Sequence, residues 1–474
     1  MNRVVIVGGG PGGYESALVA AQLGAEVTIV DSDGIGGSAV LTDCVPSKTL
    51  IATAELMTDL RRAGQLGIGF TDVEGDHAAR VLVNLGQVNE RVLQLAAEQS
   101  GDIADRLERE HVRLVRGRGR LDGPERVVVD LADGGPGSGT EELAADAVLL
   151  ATGASPRTSP SAVPDGERIL TWEQVYDLRE APTRLIVVGS GVTGAEFASA
   201  YMALGIDVVL VSSRDRVLPG EDADAAAVLQ DVLTRRGMTV MGRSRMESVT
   251  RDGDEVTVTL TDGRAVTGSH CLLAIGSVPN TRDIGLEESG VALDDGGFVK
   301  VDRVSRTSAR GVYAAGDCTG VLMLASVAAM QGRIAMWHFL GDAVAPLDLK
   351  KVASNVFTAP EIATVGWSQN AVDAGEIEAE VVRLDLSGNP RAKMQGFRDG
   401  FVKLFCRPGT GIVVGGVVVA PRASELIHPV AVAVAESLTA DQLAQAFTVY
   451  PSMSGSVAEA ARRLHHPKGL IPGV

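Results

Sequence analysis

Residues 4–31, VVIVGGGPGGYESALVAAQLGAEVTIVD, recur at 185–212 as LIVVGSGVTGAEFASAYMALGIDVVLVS. A shift of 181 positions superposes the two glycine patterns without a gap. Each copy runs from a short β-branched stretch through G-x-G-x-x-G into a helix of small residues, then a Gly, then a second β-branched stretch. That is a strand–helix–strand unit for binding a nucleotide, written twice. Gly8 and Gly189 allow the tight turn, Gly10 and Gly191 let a pyrophosphate approach the backbone, and Gly13 and Gly194 let helix pack on strand. The N–H groups and positive end of each helix would then face the phosphates.

The end of the second strand separates the two ligands. Asp31 lies 23 positions after Gly8, where a carboxylate accepts hydrogen bonds from ribose hydroxyls. At the same offset after Gly189 stands Ser212, followed by Ser213 and Arg214. A carboxylate there would repel a 2′-phosphate by about 4 kcal/mol at about 4 Å and an effective dielectric near 20. Its absence, with Arg214 close by, admits NADPH as well as NADH; the alternative for Arg214 is a solvated turn residue.

Two buried-strand runs end in a small-residue turn and a proline, AVLLATGASPR (147–157) and CLLAIGSVPN (271–280, with Gly276). Each would return the chain from one nucleotide unit to its neighbour. A third run, RGVYAAGDCTG (310–320), places the Asp317 carboxylate at a sheet edge. Asp317 could also cap a helix expected around 324–340.

The 474 residues suggest about three domains. Sixty Asp+Glu against 43 Lys+Arg give a formal charge of −17, which repels nucleic acid and anionic membrane surfaces. The opening MNRVVIVGGG reads as a strand, not a signal peptide, and no apolar run reaches the length of a membrane span. Four cysteines, at 44, 271, 318 and 406, include no C-x-x-C. Neither a disulfide framework nor a metal site is expected, and a reducing cytoplasm fits.

With these motifs the sequence resembles the flavoprotein disulfide reductases, the family of lipoamide dehydrogenase, glutathione reductase and mercuric reductase. The resemblance covers essentially the whole chain. It implies an α/β architecture of two Rossmann-like (βαβ) nucleotide-binding domains and a C-terminal α+β dimerisation domain. FAD would lie on residues 1–150 and 278–347, the nicotinamide nucleotide on 151–277, and the interface domain would be 348–474, including VASNVFTAPEIATVGWS (352–368). Gly8, Gly10, Gly13 and Asp31 would hold the ADP part of FAD, and the Gly117 backbone would meet its adenine. Thr152, Gly153 and Asp317 would hold the pyrophosphate–ribityl region, beside Met323, Leu324, Ala325 and Ser326. Lys48 and Glu196 match the pair that the family places near flavin N5. There a lysine cation favours the reduced anionic flavin, and the carboxylate keeps it fixed and charged. The resemblance further implies a homodimer in which each active site borrows residues from the partner.

Two departures redirect the chemistry. The family's pair of redox cysteines five apart reads Ala39 and Cys44 in GGSAVLTDCVPSK (36–48), so a dithiol relay is excluded at that spot. The family's H-P-T-x-x-E segment reads YPSMSG (450–455), with Tyr450 for the histidine and Gly455 for the glutamate. A tyrosine of ordinary pKa near 10 makes a poor base at neutral pH. His428 reads as a helix-start residue, and His465 and His466 as tail residues. Electrons are therefore expected to leave the flavin directly for a quinone, in a slot lined by Ala39, Val40, Cys44 and the partner's Tyr450 and Pro451. In this the chain is similar to the lipoamide-dehydrogenase-like quinone reductases that lack one active-site cysteine. Alternatives are a soluble pyridine nucleotide transhydrogenase, suggested by SSRDRVLP (212–219), and an NADH oxidase or peroxidase using Cys44, whose thiol a helix N-terminus would acidify. A flavin-bound interaction subunit is the non-enzyme reading, against which the intact Lys48 and Glu196 speak. The Gly-rich 132–143 is expected to form a hairpin insertion.

Overall fold

The structure, a computed structural model, describes residues 1–68, 82–132 and 139–465. Its first sheet is ordered Val312–Ala314, Ala147–Leu150, Arg3–Val7, Glu26–Asp31, Arg113–Leu121, Arg126–Leu131 and Thr140–Ala144. The first five strands pair in parallel and the last two add antiparallel. Arg3–Val7 is buried from residue 4 onward, as a strand covered on both faces must be. Arg113–Leu121 instead alternates buried and exposed positions along most of its length. On either side of the expected hairpin insertion the strands pair, Asp130 with Thr140; residues 133–138 lie outside the described residues.

The helix Pro11–Gln22 begins on a proline, whose fixed φ suits a first turn. It packs on the helix Ala325–Leu340, where a side chain at Gly332 would strike the Gly12 carbonyl. Arg333 and Glu15 tie the same two helices at 2.6 Å.

The second repeat builds a parallel sheet ordered Thr239–Met241, Asp207–Val211, Arg184–Val188, His270–Leu273 and Ile169–Thr171. A three-stranded antiparallel sheet, Met246–Asp252, Glu255–Leu260 and Ala265–Gly268, lies beside it. The two runs expected to carry the chain between units pair with each other: Ala154–Pro156 lies antiparallel to Ser277–Pro279.

The C-terminal part is a five-stranded antiparallel sheet, ordered Ala353–Val356, Glu361–Gly366, Val413–Ala420, Phe401–Cys406 and Glu380–Asp385. Helices including His428–Ala435 and Gly455–Arg463 share its core. The architecture is mixed α/β with parallel nucleotide-type sheets and a separate antiparallel C-terminal sheet. Among the described residues no helix is long and apolar enough to cross a membrane.

Candidate active site

The strand Arg3–Val7 turns at Gly8, whose φ of +108° and proximity to the Ala151 carbonyl leave no room for a side chain. Gly13 abuts the Gly8 carbonyl, so its job is packing, and it takes no part in the cavity wall. Gly10 is the residue at the start of the helix, and the space a Cβ would take there is open down to 4.0 Å. Asp31 accepts three backbone N–H bonds, from Gly9 (2.6 Å), Asp33 (2.8 Å) and Gly34 (2.6 Å). The carboxylate thus shapes the turn, and the residue lines the adjoining cavity.

Gly8, Gly9, Gly10, Asp31 and Asp33 border a cavity of about 1830 Å³. Its wall also includes Gly117, Thr152, Gly153, Asp317, Met323, Ala325, and Ala39 with Cys44. Leu324 and Ser326 are not in the wall. The Thr152 Oγ1 is buried without a partner, and a side chain at Gly153 would meet nothing within 4 Å. An elongated group with a pyrophosphate at the helix start and hydroxyls toward Thr152 and Asp317 suits this wall, as FAD does. Asp317 opens a short 3-10 turn, Asp317–Thr319, and does not cap the later helix, which begins at Ala325 after Leu324 without any side-chain cap. Burial, then the nearby Asp43, push its carboxyl up to about 6.

The second glycine loop repeats the first. Gly189 has φ +111° and abuts the Ala274 carbonyl, Gly194 abuts the Gly189 carbonyl, and Gly191 starts the helix Val192–Ala203 with open space beside it. Gly276 follows the strand His270–Leu273 at φ +100°, and its carbonyl accepts the Arg157 N–H. Ser212 is fully buried, its hydroxyl 2.6 Å from that of Ser190 and accepting the Arg214 N–H at 3.1 Å. Its hydroxyl is turned into the loop, toward Ser190. The cation is exposed at Arg214, and Arg243, which the sequence reading missed, joins it: the Arg243 N–H donates to the Arg214 carbonyl at 2.6 Å. Neither arginine forms an ion pair among the described residues.

Lys48 and Glu196, 148 positions apart, meet in the fold. Lys48 Nζ donates to Glu196 Oε2 at 2.8 Å, and Glu196 Oε1 accepts the Phe357 N–H at 2.8 Å. Glu196 is only 4% exposed, so removing either donor leaves a buried charge underpaired. Burial works against the lysine's charge, yet Glu196 outweighs it and the Lys48 pKa is raised. Lys48 also lies 4.9 Å over the Phe357 ring.

Cys44 starts the helix Cys44–Arg62. Burial, then the adjacent Asp43, push its thiol up to about 12, the reverse of the acidification that a helix N-terminus would give. Asp43 and Glu173 belong to the same wall and were missed in the sequence. All four thiols are free, and Cys271, Cys318 and Cys406 are buried elsewhere. Tyr450 is 82% exposed and outside the wall, with Phe447 and Val449 exposed beside it. His428 does begin a helix, and His465 lies 2.7 Å from Asp441; His466 is outside the described residues.

Comparison with known proteins places this geometry. Residues 2–332 match the pyridine nucleotide-disulphide oxidoreductase family, and 352–461 match its dimerisation domain. The chain belongs to that family. It is 56% identical over 475 residues to a Mycobacterium tuberculosis protein named NAD(P)H dehydrogenase (quinone), covering 98% of this chain and 94% of the other. It is 30% identical to the dihydrolipoyl dehydrogenase of Chlamydia trachomatis, over 96% of this chain and 95% of that one. The crystal structure of LpdA from M. tuberculosis superposes with a TM-score of 0.92 at 56% identity, covering 98% and 100% of the two chains. The Escherichia coli flavoprotein disulfide reductase RclA, 22% identical with a TM-score of 0.83 over 97% and 99%, shares the fold. The chain is thus an oxidoreductase-family member of the lipoamide-dehydrogenase type, a family that works with FAD and pyridine nucleotides.

Proposed function

We propose that the protein is a FAD-dependent NAD(P)H dehydrogenase that passes two electrons to a quinone, without lipoamide or disulfide reductase activity. The observation that carries this reading is the lone thiol: Ala39 and Cys44 border the cavity together, and no second cysteine is in its wall. The high identity to a relative named as a quinone dehydrogenase supports it. The Cys44 thiol, driven up to about 12, argues against an oxidase or peroxidase cycle through that sulfur.

Bound FAD supplies two-electron transfer between nucleotide and acceptor. The chain's own residues would do the rest. Gly8 and Gly10 with the helix N–H groups hold the pyrophosphate, with the Gly117 backbone at the adenine and Asp31 at the ribose. Thr152, Gly153 and Asp317 orient the ribityl end, with Met323, Ala325 and their neighbours Leu324 and Ser326 close by. Lys48, fixed by Glu196, keeps positive charge where negative charge develops. Gly189, Gly191, Gly194 and Gly276 frame the nicotinamide nucleotide, and Arg214 with Arg243 faces a 2′-phosphate, so NADPH is used as well as NADH.

The same reading divides the chain into FAD-binding parts at 1–150 and 278–347, a nucleotide domain at 151–277 and an interface domain at 348–474. A homodimer, cytoplasmic, completes it, with Tyr450 of each chain reaching the other's acceptor slot. The match to a dimerisation domain and the exposed Phe447, Val449 and Tyr450 support the dimer, and four free thiols suit a reducing compartment. The test is steady-state turnover with each nucleotide against menadione, lipoamide, glutathione disulfide and thio-NAD. Fast menadione reduction alone is expected. Lipoamide turnover at comparable rate would overturn the reading, and thio-NAD turnover without quinone turnover would make the protein a transhydrogenase.

A further inference from the structure

Quinone reduction has a proton requirement that the nucleotide does not meet. NAD(P)H, a quinone and one proton give NAD(P)⁺ and a hydroquinone; both electrons and one proton travel as hydride, and the second proton must come separately. The histidine that would serve a disulfide reductase is absent, and Tyr450 is a poor substitute.

Asp43 stands one residue before Cys44, at the N-cap of Cys44–Arg62. An aspartate there ordinarily accepts the N–H of the second or third helical residue. This one makes no capping bond; its backbone carbonyl accepts the Ser47 N–H, and the residue lines the cavity with Ala39 and Cys44. Its charge acts on Cys44 and Lys48 of its own helix and on Glu196 of Val192–Ala203. Its charge also acts on Glu173 and on the Tyr176 hydroxyl, buried without a partner, in the segment after Ile169–Thr171, and on Asp317 in the turn after Val312–Ala314. Around Asp43 itself, Lys48 is thus the one cation against the carboxyls of Glu196, Glu173 and Asp317.

We infer that Asp43 is the proton donor to the acceptor, in place of the lost imidazole. Its O–H bond breaks as an acceptor oxygen becomes a hydroxyl, and the carboxylate left behind takes a proton back from water. Burial raises the Asp43 pKa against the pull of Lys48, which keeps a proton on it at higher pH than an open carboxyl would hold one. The inference rests on the quinone reading above, and the test separates the two.

The holoenzyme and its Asp43→Asn variant are assayed with menadione, which takes up protons, and with ferricyanide, a one-electron acceptor that takes none. Expected for the variant are a menadione kcat lower by about 100-fold, as for loss of a general acid, a ferricyanide rate within about twofold of wild type, and loss of the wild-type fall in menadione kcat at alkaline pH. Asp43→Glu should recover part of the menadione rate. Infrared titration of the apoproteins gives a readout independent of turnover: a protonated-carboxyl band in wild type that is missing from Asp43→Asn. Equal losses with both acceptors, no loss with either, or no such band would overturn the inference. Wild-type enzyme that reduces ferricyanide but no quinone would overturn the quinone reading, and the inference with it.

Discussion

Lys48 Nζ lies 2.8 Å from Glu196 Oε2, and the other oxygen of that carboxylate holds the Phe357 N–H. One buried carboxylate therefore joins a helix of the first nucleotide unit, a helix of the second and the opening of the C-terminal part. A lysine held by so many constraints cannot drift from its place. Lys48→Ala should slow flavin reduction by about 10–100-fold, equivalent to about 1.4–2.7 kcal/mol of barrier. Stopped-flow reduction by NADPH measures it; an unchanged rate would remove Lys48 from the chemistry.

Nucleotide preference should respond to arginine, not serine. Arg214→Ala and Arg243→Ala are each expected to raise the NADPH KM about 10-fold, through loss of a charge-assisted bond of about 1.5 kcal/mol, with the NADH KM nearly unchanged. Ser212→Ala removes the bond to Ser190 inside the turn and should affect both nucleotides alike. Equal responses of both cofactors to the arginine changes would displace the 2′-phosphate from this edge.

Sulfur should be dispensable. Cys44→Ser is expected to keep menadione kcat within a few-fold of wild type. Alkylation of Cys44 in the native enzyme should be slow at pH 8, because its thiol is driven up to about 12. An inactive serine variant, or a trapped sulfenic acid in wild type, would restore the peroxidase alternative.

Lys403 offers a test of stability away from the site. Its ammonium lies 2.8 Å from Asp222, both side chains 3% exposed, and it links the C-terminal sheet to the second nucleotide unit. Lys403→Met leaves the Asp222 carboxylate buried without its cation and should destabilise by about 3–5 kcal/mol. Thermal melting of the variant against Lys403→Met/Asp222→Asn, which removes both charges, should show partial recovery in the double variant.

The Asp317 carboxyl gives a pH signature in the apoprotein. Burial lifts its folded pKa to about 6, above that of an open carboxyl, so the folded state holds the proton more tightly than the unfolded chain. The stability it contributes is complete below the unfolded value and is lost as pH rises from about 4 to 6. Apoprotein melting temperatures should fall across that window, and Asp317→Asn should flatten the fall while weakening FAD retention.

Much of the architecture could be read from the chain because glycine positions are local requirements. Gly8 and Gly189 must each clear a carbonyl, and no other residue can, so the repeat announces both units. The lone Cys44 was legible in the same way, as a missing partner at a fixed spacing. What escaped depended on where side chains end up. Ser212 looked like a ligand contact by offset, yet the turn draws its hydroxyl inward to Ser190. Arg243 reaches the same edge from the turn after a neighbouring strand, 29 positions later, and only the pairing of Asp207–Val211 with Thr239–Met241 brings it there. Asp43 was visible in DCVPSK, but nothing in the sequence says that an aspartate at a helix start will decline to cap it.

The paired strands Ala154–Pro156 and Ser277–Pro279 have a consequence for how such a chain can be altered. They are the way into and the way out of the second nucleotide unit, and they lie side by side. A segment whose two ends are neighbours is a cassette: it can be cut out and a different one spliced in without moving the scaffold on either side. An incoming segment would have to carry a glutamate to meet Lys48 and an aspartate to meet Lys403.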